Sequence, residues 1–285
     1  MYPEINEAEI VSYYDNCQID YEVVWHLKSH MCMHYGYWDE STKNLRDALN
    51  NMNVQVAKFA QIQPGMLVLD AGCGVGGSSI YLAKNLNCKT IGITLSEKQV
   101  ATCNANAEKM GVAKSAGFQK QNYLNTSFND NTFDVVWGVE SVCYAYDKAD
   151  FLKEAFRILK PGGRVIVADF FSNNVKDGTT DAALMDKWTT TWAIKSYADV
   201  AEFWQKMQDA GFINCAKKNV TANVIKSITR LYYSFFPGLP ITYISQFLKL
   251  RNKVQTANTW STYYQYKAFE KGLWKYMFYT AQKPY

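Results

Sequence analysis

Asp70 and the glycines at 72, 74, 76 and 77 are the residues of this 285-residue chain whose types and spacing say most about chemistry. They follow the apolar run Leu67-Val68-Leu69, which reads as a strand buried on both faces. They precede Ser78 and Ser79, where a helical pattern begins. Strand, glycine turn and helix together make a ligand-binding geometry. Glycine has no Cβ, so a ligand can approach the backbone closely, and the N–H groups of the first helical turn point at it. Two spacings are satisfied. Gly72, Gly74 and Gly77 fit G-x-G-x-x-G, a dinucleotide pattern that is weak alone, whereas Asp70, Gly72, Gly74 and Gly76 fit D-x-G-x-G-x-G. A dinucleotide site expects an acid about 20 residues on, at the end of the second strand, to hold the ribose. That strand reads Lys89-Thr-Ile-Gly-Ile-Thr94-Leu-Ser96 with no carboxylate before Glu97, which favours the second spacing.

The elements that must position these residues follow from periodicity. Strands are expected at 67–69, 90–93, 118–121 and 133–138, then at 164–169 and 212–217, with a last strand at 275–281. Helices are expected at 78–86, after Ser96 with Gln99 in capping-box position, at 151–159 before the stop Lys160-Pro-Gly-Gly163, and at 197–210. Strands alternating with helices predict a parallel, doubly wound sheet. In such sheets ligands sit beyond the carboxyl ends of the strands, where Asp70, Thr94, Asn122 and Glu140 fall. The last strand is expected as the antiparallel hairpin partner of the sixth.

Before the sheet, helices are expected at 9–15, 21–33 and 41–60. All three histidines, His26, His30 and His34, are placed in the second at i, i+4, i+8, near one face if that helix runs so far. No carboxylate or further His completes a ligand set. The pattern therefore reads as a face packed on the core or a substrate channel, and no metal is expected. The segment Met33-His-Tyr35-Gly36-Tyr37-Trp38 breaks the helical pattern and reads as an aromatic lid over a ligand. Residues 170–197, with Trp188 and Trp192, read as cap. Residues 220–264 are rich in Tyr, Phe, Leu and Ile and are broken by Pro237-Gly-Leu-Pro240. They read either as a packed helical face or as a ligand wall. Lys226, Arg230, Arg251 and Lys253 in this insertion read as a solvated face, with a diphosphate or anionic headgroup as the alternative partner.

Aromatic residues make up 15% of the chain, more than a core needs, and an apolar ligand cavity would use them. A net charge of +4 without a basic tract gives no sign of nucleic-acid binding. Seven cysteines, an odd number with no C-x-x-C, point to reduced thiols in a cytoplasmic protein. The acidic MYPEINEAEI start is unlike a signal peptide, and no window approaches the ~18 apolar residues of a membrane span. The oligomeric state stays open, a homo-oligomer included.

Together the glycine motif, GITLSEKQV (92–100), DVVWGVESVCYAYDK (134–148) and RILKPGG (157–163) resemble the class I S-adenosylmethionine (SAM) methyltransferases. The resemblance points to the branch with sterol C-24, tocopherol and terpenyl-diphosphate C-methyltransferases and cyclopropane fatty acid synthases. It is detailed over residues 31–170 and looser over the tail KGLWKYMFYTAQKP. It implies a Rossmann-like, doubly wound α/β fold of seven strands, the last antiparallel, with N-terminal helices and a helical cap. The implied division is a helical lid at 1–60, a SAM-binding core at 61–170, a cap segment at 171–197, core again at 198–219, a cap insertion at 220–264 and a final core strand at 265–285.

The resemblance also implies roles. Asp70 organises the turn, with Gly72, Cys73, Gly74 and Gly76 around the methionine end of SAM. Thr94, Leu95 and Gln99 hold the ribose, although many class I enzymes carry an acid where Thr94 stands. Asn122 and Tyr123 meet the adenine, Tyr35 lies by the sulfonium, and Glu140 stands next to the methyl group. An alkene methylated by a sulfonium becomes a carbocation, which needs a carboxylate or aromatic face and then a base. Glu140, Tyr35, Tyr144 and Trp38 offer both. C-methylation of a hydrophobic, isoprenoid or sterol-like alkene is the leading expectation. The alternatives are N- or O-methylation of a small metabolite with Glu140 orienting the nucleophile, and a SAM- or lipid-binding module without turnover. For Glu140 a purely structural part, tied to loop N–H groups under the lid, also stands open.

Overall fold

The computed structural model describes residues 7–285. Residues 1–6, where the expected lid begins, lie outside the described residues. Seven strands form one sheet: β1 (Leu67–Ala71), β2 (Lys89–Thr94), β3 (Ala116–Lys120), β4 (Phe133–Val139), β5 (Leu159–Ser172), β6 (Ile213–Asn219) and β7 (Trp274–Gln282). Their order is β3-β2-β1-β4-β5-β7-β6. The pairs β1–β2, β1–β4, β2–β3 and β4–β5 are parallel, and β7 runs antiparallel between β5 and β6. The fold class is therefore the expected one. β7 is not simply the hairpin partner of β6, because it also pairs with β5 over nine residues.

Period-two alternation divides the sheet between two apolar layers. Val135, Trp137, Tyr276 and Phe278 face the helices α3 (Leu45–Phe59), α7 (Thr180–Thr191), α9 (Thr221–Phe247) and α10 (Lys253–Glu270). Val136, Val165, Met277 and Tyr279 face α6 (Lys148–Ile158) and α8 (Val200–Asp209). The remaining core helices, α4 (Gly77–Leu86) and α5 (Glu97–Lys109), meet in a smaller cluster around Cys103 and Phe118.

Several expected boundaries shift. The first helix, α1 (Glu7–Val24), is longer than expected, and the second is only α2 (Leu27–His30), because His26 and Met31 both take left-handed backbone (φ 51° and 56°). The three histidines thus share no helix. The rings of His26 and His30 lie 5.6 Å apart, while His34 is buried in the following loop. The capping box at Ser96 is half formed. Ser96 Oγ accepts from Gln99 N at 3.3 Å, but the Gln99 side chain turns to Thr94. The Lys160-Pro-Gly-Gly163 stop ends α6 yet belongs to the start of β5, where the pairing with β4 shifts register.

Pro237 and Pro240 do not break α9. Each lacks an N–H, so the carbonyls of Tyr233 and Phe236 lose their helical donors. Both of those residues are exposed, so solvent can satisfy the freed groups. The helix is held meanwhile by its packing on α10, including a Tyr232–Tyr266 ring stack at 3.9 Å.

Candidate active site

A cavity of about 250 Å³ opens at the carboxyl ends of β1, β2 and β4. Its floor includes Asp70, Gly72, Cys73, Gly74, Thr94, Leu95, Gln99, Asn122, Tyr123 and Glu140. α1 and the 31–35 loop roof it, with Tyr14, Tyr21, Met33, His34 and Tyr35, and Phe170, Tyr144 and Trp192 close the sides. Of the expected site residues Gly76 and Trp38 are not in the lining, and the part of Gly76 is to turn the chain. Trp38 is elsewhere, donating its Nε1–H to Ser227 Oγ at 3.0 Å on α9.

The glycine turn is built for its own protein as much as for a ligand. Gly72 N and Cys73 N both donate to Ile93 O at 3.0 Å, tying the turn to β2. At Gly72 (φ +93°) a Cβ would stand 2.4 Å from Ser141 Cβ, and at Gly77 one would stand 1.9 Å from Met31 O. Both positions line the cavity, and the Cβ that glycine lacks also leaves room there for the turn after β4 and for the lid loop. Asp70 accepts from Ser79 Oγ at 2.6 Å and so anchors the first turn of α4. Burial pushes its carboxyl up to about 6.

Further along the floor, Thr94 Oγ1 donates to Gln99 Oε1 at 2.5 Å. Asn122 donates through Nδ2 to Glu7 Oε1 at 2.6 Å and accepts from Leu124 N at 2.8 Å. Tyr123 packs its ring edge-on against Phe151 and donates its hydroxyl to Ser141 O at 2.8 Å. That bond holds the turn in which Glu140 sits.

Glu140 takes a left-handed backbone (φ +50°) directly after β4, a conformation that costs a non-glycine residue roughly 1–2 kcal/mol. Its N–H is held by Ala168 O at 2.9 Å. Its Oε1 accepts from Tyr35 N at 2.6 Å and from Tyr276 OH at 2.7 Å. Oε2 accepts no hydrogen bond among the described residues. Burial pushes this carboxyl up to about 8, with the nearby Asp169 adding to it and the two donors only partly opposing. Strain, burial and a one-sided hydrogen-bond set converge on one group facing a cavity, a combination typical of functional carboxylates.

The partners of this group were not legible beforehand. Tyr276 comes from β7, and the Tyr35 hydroxyl donates to Gln265 Oε1 on α10. The Tyr35 ring lies edge-on to Phe170 and parallel to Tyr276. Tyr144 accepts from Tyr14 OH at 3.0 Å, so α1 latches onto the turn after β4. His34 is a further group that spacing alone misread. A carbonyl only accepts, so the 2.9 Å contact of Nδ1 with Tyr35 O puts the ring proton on Nδ1. Nε2 is then a lone pair, buried and without a partner among the described residues, and burial lowers the imidazole to about 4.

The charge of the lining is one-sided. Glu7, Asp20, Asp70 and Glu140 line it, and no Lys or Arg among the described residues does. Two cations of the insertion sit behind the lining, engaged by residues of it: Arg251 forks onto Asp20 at 2.6 and 2.9 Å and Arg230 donates to Val24 O at 2.5 Å, while Lys226 lies over Trp38.

Residues 69–167 match the family described as methyltransferase domain. Among curated proteins, tocopherol O-methyltransferase of Arabidopsis thaliana is 31% identical over 226 residues, 73% of this chain and 64% of that protein. The chain spans less than two thirds of the length of the first curated relatives it matches. Among solved structures the cyclase SpnF superposes with a TM-score of 0.80 at 21% identity, covering 98% of this chain and 96% of that one. Geranyl diphosphate C-methyltransferase from Streptomyces coelicolor, solved with Mg2+, geranyl diphosphate and S-adenosyl-L-homocysteine, gives 0.73 at 18% identity, covering 97% of each. At such identities the structures speak for the fold. The glycine turn, the sheet order and the family match agree, and the chain carries a methyltransferase domain of the class I SAM-dependent type.

Proposed function

We propose that the protein is a SAM-dependent methyltransferase acting on a carbon of a hydrophobic, alkene-bearing substrate, with Glu140 as cation stabiliser and base. The observation that carries this reading is Glu140 itself: its Oε1 is occupied by Tyr35 N–H and Tyr276 OH, and, among the described residues, its Oε2 is uncommitted and no cationic side chain lines the aromatic-walled cavity. That lining suits a sulfonium. It suits a pyrophosphate poorly, which argues against a dinucleotide and against a diphosphate on the substrate.

The residues present fit SAM. Asp70 and the turn Gly72, Cys73, Gly74 and Gly76 would hold its methionine end. The Thr94 hydroxyl, Leu95 and the Gln99 amide would hold the ribose, and Asn122 with Tyr123 the adenine. When bound, SAM supplies a methyl group on a cationic sulfur. Glu140 is largely protonated at neutral pH in the ligand-free protein, and a cation in the cavity favours its ionised form. An alkene carbon that has accepted a methyl leaves a positive charge on its neighbour. The rings of Tyr35 and Phe170 and the carboxylate then face that charge. Glu140 Oε2 takes a proton from the adjacent carbon, and the released C–H pair closes a new double bond. The apolar surroundings that raise the carboxyl favour this neutral product acid.

Glu140→Gln keeps an acceptor for both donors but removes the base. We expect SAH affinity within about threefold of wild type and turnover lower by at least about 100-fold, with the methyl on carbon by mass spectrometry of the product. Retained turnover per bound SAM in this variant would remove Glu140 from the chemistry.

A second reading is favoured by His34. Its unprotonated, unpartnered Nε2 in the cavity wall could accept the proton of a hydroxyl or amine while that heteroatom takes the methyl. Under that reading the product carries the methyl on O or N, and His34→Gln is the more damaging change.

A further inference from the structure

The outer end of the α9–α10 hairpin is not explained by the site. Phe236, Ile241, Ile244 and Leu248 are each more than half exposed, and Phe247 and Leu250 are 86% and 75% exposed. Phe236, Pro240, Tyr243 and Phe247 recur at steps of three and four, so they form one stripe on α9. Scattered apolar residues on a surface need no explanation, whereas a contiguous stripe does. The charge of the hairpin is equally one-sided. From Thr221 to Phe269 there are six Lys or Arg and no Asp or Glu. Arg251 is neutralised by Asp20 of α1, the element packed beside it, and Lys267 by Glu270. Lys249 and Lys253 flank the exposed tip and form no ion pair among the described residues.

We propose that this tip docks on an anionic phospholipid surface, with Phe247, Leu248 and Leu250 entering the headgroup–acyl boundary and Lys249 and Lys253 meeting lipid phosphates. Aromatic and aliphatic residues beside lysines are the composition that partitions there. No helix among the described residues is long and apolar enough to cross a membrane, so the contact is peripheral. A second copy of the chain fits the surface less well. A twofold contact sets a patch against itself, and here that would oppose lysines with no acid between them. The hairpin also walls the cavity through Leu231, Asn258, Ser261 and Thr262. Docking would therefore set the substrate site beside the phase in which an apolar substrate is dissolved.

The test is cosedimentation of the full chain, without substrate, with vesicles of phosphatidylcholine alone and with 30% phosphatidylglycerol, a fraction on the order needed for a negative surface potential. The proposal expects binding to the anionic vesicles that weakens with salt. The double change Phe247→Ser with Leu250→Ser should lower partitioning at least about tenfold. Lys249→Gln and Lys253→Gln should each lower it about fivefold on anionic vesicles only. All variants should keep the wild-type melting temperature and SAH affinity. Failure of the wild type to bind either vesicle would overturn the proposal. So would a wild-type dimer in sedimentation equilibrium that the serine variant turns into monomer, since the stripe would then belong to a second copy. Neither outcome depends on what the enzyme methylates.

Discussion

Glu140 carries two donors on one oxygen and a carboxyl held at about 8 by burial, and both properties bear on ligand choice. A sulfonium binds best to the ionised carboxylate, while the neutral thioether of SAH gains nothing from it. The ratio of SAM to SAH affinity should therefore rise about tenfold between pH 6.5 and 8.5, measured by calorimetry. It should stay flat in Glu140→Gln. A flat wild-type ratio would separate Glu140 from the sulfonium. The position of this residue was legible because it is local: the apolar run 133–139 ends, and the next side chain stands at the ligand end of a parallel sheet. Its environment was not legible. Tyr276 lies 136 residues away in sequence, and nothing near either residue encodes their pairing. His34 was misread for the related reason that spacing assumes a continuous helix, and left-handed backbone at His26 and Met31 ends that helix early.

At the scale of elements, the lid loop and the glycine turn fit each other at backbone distance. Gly77 is helical, so alanine suits α4 there, and the obstacle is Met31 O at 1.9 Å from the new Cβ. Gly77→Ala should leave the sheet intact and displace the 31–35 loop. An overpacking cost of about 1–3 kcal/mol corresponds to SAH binding weaker by roughly 5- to 150-fold, with faster hydrogen exchange confined to residues 25–37. Exchange that rises equally in the sheet would contradict this assignment. The helices and strands of the core were expected nearly in place, because each has its own apolar period. The continuity of α9 through Pro237 and Pro240 was not expected, because the local proline rule yields here to packing on α10 and to carbonyls freed on an exposed face.

The whole molecule stores protons at the site. Asp70 and Asp169 at about 6 and Glu140 at about 8 all lie above the range they take when unfolded. For a carboxyl raised in the folded state, the folded form binds the extra proton, so stability falls as pH climbs from the unfolded value to the folded one. His34, lowered to about 4, acts in the opposite sense up to about pH 6.5. Above that Glu140 dominates. The ligand-free protein should lose about 1 kcal/mol of stability between pH 6.5 and 7.5, read from urea unfolding, and Glu140→Gln should remove most of that loss. An unchanged slope in the variant would place the burial elsewhere.

What the residues alone settled was the class of fold and the end of the sheet at which the cavity opens, because strand and helix periods, glycine turns and the carboxyl ends of parallel strands are all properties of short stretches of chain. The folded structure alone decided which groups surround Glu140, that the glycines make room for Ser141 and Met31 O, that no cationic side chain among the described residues lines the cavity, and that an apolar, cationic tip is left outward. Those facts arise where segments more than a hundred residues apart meet. There the balance of burial, hydrogen bonding and charge is fixed by neighbours in space, and no local pattern records it.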